Sequence, residues 1–276
     1  YARFRRKQDS IQTAADPSQL FLSVYSGIDA HQMLVHFRDQ LEFFRTEPWR
    51  VYGPPPRFLG IVPLRPVTER VFIGAGIFFT AALVAAASNV GRKPALTLAL
   101  ICFPIYFLPI LPLAYIQRKV NLIPLVLAIS LFAQDRVLAA AKLLLALVYL
   151  SAGLEKLRAA GLRWIDGESL QSYLVEHYLY SGRPQALFIA ERGFLCRALS
   201  TLVLAWELSF WLVLVFPALT WVYVVGGLLF HAGTSVAMRI HYWVYFCPVY
   251  FVFFAPVLQP YLSVTLAHAW LWGRLG

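Results

Sequence analysis

Long apolar runs separated by short charged connections dominate the chain, and their lengths set the expected architecture. A membrane-crossing helix needs about 17 to 25 mostly apolar residues. The runs Val71 to Ala87, Pro94 to Ile116, Val137 to Leu157, Leu195 to Phe216, Leu219 to Met238 and Tyr242 to Leu258 are of that order. A further run, Val120 to Ala133, is about 14 residues, a length that suits a crossing, a buried segment or a re-entrant one. Apolar residues come in unbroken stretches and not in the alternating strands of a membrane barrel. The predicted fold is therefore all-α: a polytopic integral membrane bundle of about six to eight transmembrane helices. Pro104, Pro109 and Pro112 predict a kink in the second span.

Residues 1–66 form the one sizeable polar region and open with the basic cluster Arg3, Arg5, Arg6 and Lys7. Within it Met33, Phe37, Leu41 and Phe44 recur at offsets of four, four and three, which predicts an amphipathic helix over Asp29 to Phe44. Such a helix either lies on the membrane or docks on the bundle. The stretch Tyr52, Gly53, Pro54, Pro55 and Pro56 ends that helix. Residues 67–260 are expected to form the transmembrane bundle, and 261–276, with Trp270 and Trp272, an interfacial tail. No basic, apolar and small-residue order marks a cleavable leader, so the first crossing is expected to serve as its own insertion signal.

Composition adds to this picture without changing it. Hydrophobic residues make up 59% of the 276 and charged ones 14%, well below the roughly 25% usual in soluble domains. The net charge of +10 could suit nucleic acid, but no basic stripe with interleaved stacking aromatics stands on a soluble region. Membrane lipids are the better partner, since Lys and Arg collect beside anionic headgroups on the cytoplasmic side. With the N-terminus cytoplasmic and seven crossings, that side also receives Arg118, Lys119, Arg158, Arg163, Arg183, Arg192, Arg197 and Arg239. The other side receives Arg92, Lys93 and Arg136. Cys102, Cys196 and Cys247 lie in apolar surroundings without metal-binding spacing, and no metal is expected.

Candidate chemistry gathers where the Val137–Leu157 run turns polar. Lys142, Tyr149, Gly153 and Lys156 fall on one helical face, and small Gly153 would let a neighbouring helix come close. Trp164, Asp166 and Gly167 read as a break at headgroup level. An ionisable residue near bilayer depth usually faces the bundle interior. Lys156 suits either a polar site or snorkelling to the headgroups, and Glu207 either a structural pair with a lysine or an acid–base role. His231 and Ser235, four residues apart, share another face, where the histidine is either a satisfied core residue or a base.

Two segments carry a family resemblance. AGLEKLRAAGLRWIDGESLQSYL, residues 152–174, resembles the AGxxKL…W-x-x-G segment of the vitamin K-dependent gamma-carboxylase family and its bacterial relatives, the horizontally transferred transmembrane (HTTM) domain proteins. FHAGTSVAMRIHYWVYF, residues 230–246, resembles that family's later FH…S…M-F segment. The resemblance covers about Lys142 to Phe254. It implies that Lys156 is the base that starts oxygenation of a reduced quinone and that His231 is the histidine opening the later motif. It departs at Glu155, where the family has a second lysine. Nothing in these residues matches the large extramembrane region of the eukaryotic carboxylase, so glutamate carboxylation is not expected to carry over.

The resulting expectation is a multi-pass protein of the bacterial inner membrane with a pocket for a quinone, hydroquinone or other prenyl lipid. Lys156, His231 and Glu207 would be catalytic, and Lys142, Tyr149, Trp164 and Ser235 would line the cofactor. The alternatives are a non-catalytic subunit that joins other membrane subunits through its N-terminal region, and a maturation factor for a secreted peptide.

Overall fold

The computed structural model describes residues 16–45, 57–58, 62–63, 67–107, 122–132, 136–238 and 246–258. The basic N-terminal cluster, the triple proline, Pro109, Pro112, Arg118, Lys119, Arg239 and the 261–276 tail lie outside the described residues. Apart from a two-residue antiparallel ladder, Arg57–Phe58 with Val62–Pro63, the regular structure is helical. By contacts the chain divides into two compact units, Tyr1–Leu138 with Phe254–Gly276, and Ala139–Phe253.

The first unit begins with α1, Pro17–Arg45, which starts twelve residues before the predicted amphipathic stretch. Its buried side runs through Phe21, Leu22, Tyr25, Ala30, Met33 and Phe44. That side packs on α2, Glu69–Ala87. Thr68 caps α2 by accepting from the Val71 N–H at 3.4 Å, and Glu69 places a negative charge against the helix N-terminus. Phe44 stacks on Phe72 at 4.3 Å, Phe72 on Tyr106 at 4.5 Å, and Phe37 faces Tyr106 at 6.3 Å. Gly76 makes this possible, because a Cβ there would sit 2.6 Å from the Tyr106 ring and 2.8 Å from Phe37. Tyr106 belongs to α3, Arg92–Phe107, whose first residue ties the unit together: Arg92 donates to Ser23 Oγ at 2.8 Å and to the Ala86 carbonyl at 3.2 Å. The short α4, Leu122–Phe132, packs on α3.

In the second unit, α5, Val137–Ala160, continues into a 3-10 turn over Gly161–Asp166. The expected interfacial connection folds into α6, Glu168–Ser181, and α7, Pro184–Ala190. Leu174 of α6 is buried with Ala186, Ala190, Cys196 and Ala237, and Leu170 and Tyr178 pack around them, whereas Tyr173 stays exposed. Then come α8, Gly193–Ser209, a single turn α9, Leu212–Val215, and α10, Thr220–Met238. A last helix, α11, Phe246–Leu258, begins in this unit.

Among the described residues, three helical stretches are long and apolar enough to cross a membrane: Glu69–Ala87, Val137–Asp166 and Pro217–Met238. That marks a helical membrane protein, with fewer qualifying spans than the six to eight expected. The Leu195–Phe216 run does not form one helix. It stops at Ser209, whose hydroxyl donates back to the Ala205 carbonyl at 2.6 Å, and Pro217 cannot continue an α-helical ladder. The described helix of the second run ends at Phe107, and α4 and α11 are short apolar helices.

Candidate functional site

Gly153 of α5 is where the site is assembled. A Cβ at this position would lie 2.9 Å from Leu208 and 3.2 Å from the Glu207 Cβ, so the missing side chain lets α8 pass close. One turn further on, Lys156 Nζ donates to both carboxylate oxygens of Glu207, at 2.7 and 2.6 Å. The Glu207 side chain is 5% exposed and that of Lys156 23%, so the lysine turns inward and does not reach for headgroups. A buried carboxylate without a partner would cost several kcal/mol, and this lysine supplies the counter-charge. The ammonium also lies 5.5 Å from the centre of the Trp164 ring.

The 3-10 turn carrying Trp164 is held by Gly167. Its φ of +89° lies in the left-handed region, and a Cβ there would come within 2.7 Å of the Cys196 carbonyl carbon. The predicted break therefore seats on α8, and Trp164 is part of the lysine's surroundings.

A turn before Gly153, Tyr149 enters a second polar group. Its hydroxyl is 2.6 Å from His231 Nε2 and accepts from Tyr250 Oη at 2.8 Å. All three side chains are buried. Trp206, Phe210 and Phe246 enclose them, at 4.4, 4.5 and 5.5 Å from the Tyr149 ring, and Phe246 stacks on His231 at 4.6 Å. Trp206 adjoins Glu207 in sequence and Tyr149 in space, which brings the ion pair and the tyrosine–histidine chain into one region of the unit.

Five of the seven residues expected at the site thus meet here: Lys156, Glu207, His231, Tyr149 and Trp164. Lys142 stands apart, over the Phe253 ring at 5.4 Å. Ser235 is half-buried one turn beyond His231, outside the Tyr149–His231–Tyr250 chain. Sequence reasoning missed Tyr250, Phe210 and Phe246. The usable signal was Gly227, four residues before His231 on the same face.

The Nε1 atoms of Trp164 and Trp206 are buried without an acceptor among the described residues. Both are pure donors, so the groups that would complete them are acceptors such as a carbonyl oxygen. Two of the surface grooves lie among the described residues. One lies on α6, along Gln171, Val175 and Leu179, and the other between α1 and α2, along Met33, Phe37 and Thr80. Neither is lined by the residues of the site. Among the described residues no cluster of three or more His, Cys, Asp or Glu side chains forms. Comparison with protein-family models, curated proteins and solved structures finds no match.

Proposed function

We propose that the protein is an HTTM-like integral membrane protein whose second unit holds a quinone or related carbonyl-bearing prenyl lipid against Trp164, Trp206 and Lys156. The observation that carries this reading is the pair of buried indole N–H groups without acceptors among the described residues, flanking an ion pair and a tyrosine–histidine chain. A quinone ring offers acceptor oxygens, which the buried indole N–H groups lack among the described residues, and a flat conjugated face that suits the surrounding rings. When bound, such a group supplies two-electron redox chemistry. The chain's own residues supply donors, a counter-charge and an apolar enclosure. For Lys156 to act as the base that the family likeness implies, its proton must first pass to Glu207, the group already bonded to it. His231 and Tyr149 orient the ligand's oxygens.

The test is binding of a short-chain ubiquinone or menaquinone analogue to the protein in nanodiscs, followed by tryptophan quenching and by native mass spectrometry. Saturable binding is expected, with an affinity loss of about tenfold in Trp164→Phe, the loss expected for one hydrogen bond. No saturable binding and no co-purifying quinone would sink the reading. A second reading, a non-catalytic subunit of a membrane complex, is favoured by the mutual pairing of Lys156 with Glu207, which needs no ligand to complete it. Stoichiometric co-purification of other chains without any quinone would establish it.

A further inference from the structure

We infer that the groove between α1 and α2 is a phospholipid site. One acyl chain lies along the groove, and the phosphate is held where α2 turns into α3, at Arg92 and Lys93. Every residue involved belongs to the first unit, so the inference does not rest on the quinone reading of the second.

The groove follows from how the two helices pair. Phe44 stacks on Phe72, Phe37 lies against Gly76 and Gly27 against Ala87, so α1 and α2 run antiparallel. Rings fill the contact as far as Phe37, and past Gly76 the helix presents small side chains. Gly76, Ala81 and Ala85 line the groove from α2, and Met33, Leu34 and Phe37 line it from α1. Thr80 also borders it, but its hydroxyl already donates to the Gly76 carbonyl at 2.8 Å. From Gly76 to Ser88 the lining rises by twelve residues of α2, or about 18 Å. Half of a hydrocarbon core about 30 Å thick is about 15 Å, so the groove is as long as one leaflet is deep. Its volume, about 660 Å³, is in the range that takes one small ligand.

The occupant follows from the surroundings and from the charge at one end. α2 is long and apolar enough to cross a membrane, which sets the exposed Leu34, Ile77 and Val84 against lipid. A lipid tail gains no transfer energy by leaving other tails for a protein surface. It gains contacts in a concave channel, and its headgroup must supply the rest. Ser88 and Val90 close the groove at the α2–α3 turn, where Asn89 and Gly91 take φ of +58° and +54°. Arg92 and Lys93 come next. Arg92 spends Nε on the Ala86 carbonyl and Nη2 on Ser23, and its Nη1 is buried without a partner among the described residues. Lys93 is exposed. Neither bonds a carboxylate among the described residues, and Asp16 acts on Arg92 only at longer range. Two cations at the mouth of a channel one leaflet long suit a phosphate with its tail in the channel.

The experiment places the full chain in phosphatidylcholine nanodiscs that carry a small share of phosphatidylglycerol with a diazirine on one acyl chain. Adducts formed on illumination are mapped by peptide mass spectrometry. They are expected at Leu34, Ile77 and Val84, to saturate, and to be displaced by unlabelled phosphatidylglycerol. Ala81 is exposed, so Ala81→Trp fills the groove from the lipid side without entering the core, and it should remove the adducts. Ile101→Trp, at an exposed position of α3 that does not border the groove, should leave them. Lys93→Gln should lower the preference for phosphatidylglycerol over phosphatidylcholine about fivefold, the effect of one basic residue beside anionic headgroups. Adducts spread evenly over the exposed positions of α2 and α3 would overturn the inference, because ordinary surrounding lipid gives that pattern. So would adducts unchanged in Ala81→Trp, or a headgroup preference unchanged in Lys93→Gln. An absence of adducts at the groove, together with disulfide trapping of a cysteine at Leu34 by one placed within residues 46–66, would assign the groove to the chain's own segment instead.

Discussion

In each unit, among the described residues, a glutamate meets a cation at the same distance, and the two pairs are chemically different objects. In the first unit Arg45 Nη2 meets Glu69 Oε1 at 2.6 Å, with side chains 58% and 43% exposed. In the second, Lys156 Nζ meets Glu207 Oε2 at 2.6 Å, with exposures of 23% and 5%. Water screens the first, so forming it gains little over leaving both groups hydrated. The second is largely stripped of water, and each partner there depends on the other. Separation does not rank ion pairs; their surroundings do. The interiors differ in the same sense. The first unit is built on stacked rings, Phe44, Phe72 and Tyr106, whereas the second encloses a polar chain of Tyr149, His231 and Tyr250 in aromatic rings.

Removing one partner of the buried pair should therefore have the largest effect. Lys156→Ala is expected to destabilise the second unit by about 3–5 kcal/mol, because it leaves the Glu207 carboxylate buried and unpaired. The double variant Lys156→Met with Glu207→Met should recover most of that loss, since well-packed apolar side chains replace a buried pair at little cost. Denaturant unfolding in detergent, followed by tryptophan fluorescence, measures both. A double variant as unstable as the single one would show that the pair orders the unit in some way that burial does not explain.

A second effect is expected in the first unit, and it depends on pH. Asp29 lies on the buried side of α1, a helix too polar to count among the crossing stretches. Burial pushes its carboxyl from 3.8 up to about 8, with the Tyr25 hydroxyl opposing the rise. The folded state therefore holds a proton that the unfolded chain releases. Below the unfolded value the group is neutral in both states. Between that value and about 8 the fold loses stability as pH rises, with a slope of up to about 1.4 kcal/mol per pH unit. Asp29→Asn should flatten this slope and stabilise the unit near pH 8. Unfolding midpoints measured from pH 5 to 8.5 check it, and an unchanged slope in the variant would assign the pH dependence to another group.

These features differ in how far the sequence reveals them. The helices over 69–87, 137–160 and 220–238 are legible because an apolar run of bilayer length has few other structures open to it. Lys156 with Glu207 is nearly legible, since a charge inside such a run needs a counter-charge and few are on offer. The start of α1 at Pro17 is not. Its buried side carries Ser18, Ser26 and Asp29 among Phe21, Tyr25 and Met33, and polar residues on an inner face erase the contrast on which periodicity depends. Leu195–Phe216 misleads in the opposite way, being apolar enough to cross but interrupted at Phe210 and Trp211. Tyr250 is invisible for a simpler reason. It is one aromatic among many, and its partner Tyr149 is 101 residues away, so no local spacing links them.

The smallest effect is expected at Arg45, and its smallness sharpens the contrast between the pairs. The guanidinium donates through Nε at 3.1 Å and Nη2 at 2.6 Å to a single Glu69 oxygen. By distance alone this contact matches Lys156–Glu207. Yet both Arg45 and Glu69 are exposed, and exposed ion pairs contribute little because an unpaired charge at the surface can be hydrated. The adjacent Phe44 is buried on Phe72 and already fixes where α1 ends against α2. Arg45→Ala should thus leave unfolding of the first unit unchanged within error in 0.5 M salt and produce at most a slight loss at low salt. The measurement is the same denaturant titration, run at two salt concentrations beside Lys156→Ala. If Arg45→Ala destabilised its unit as much as Lys156→Ala destabilises the other, and did so regardless of salt, hydration would not be what separates the two pairs. The Arg45 pair would then have to be shielded in the membrane-embedded protein by lipid or by a neighbouring chain.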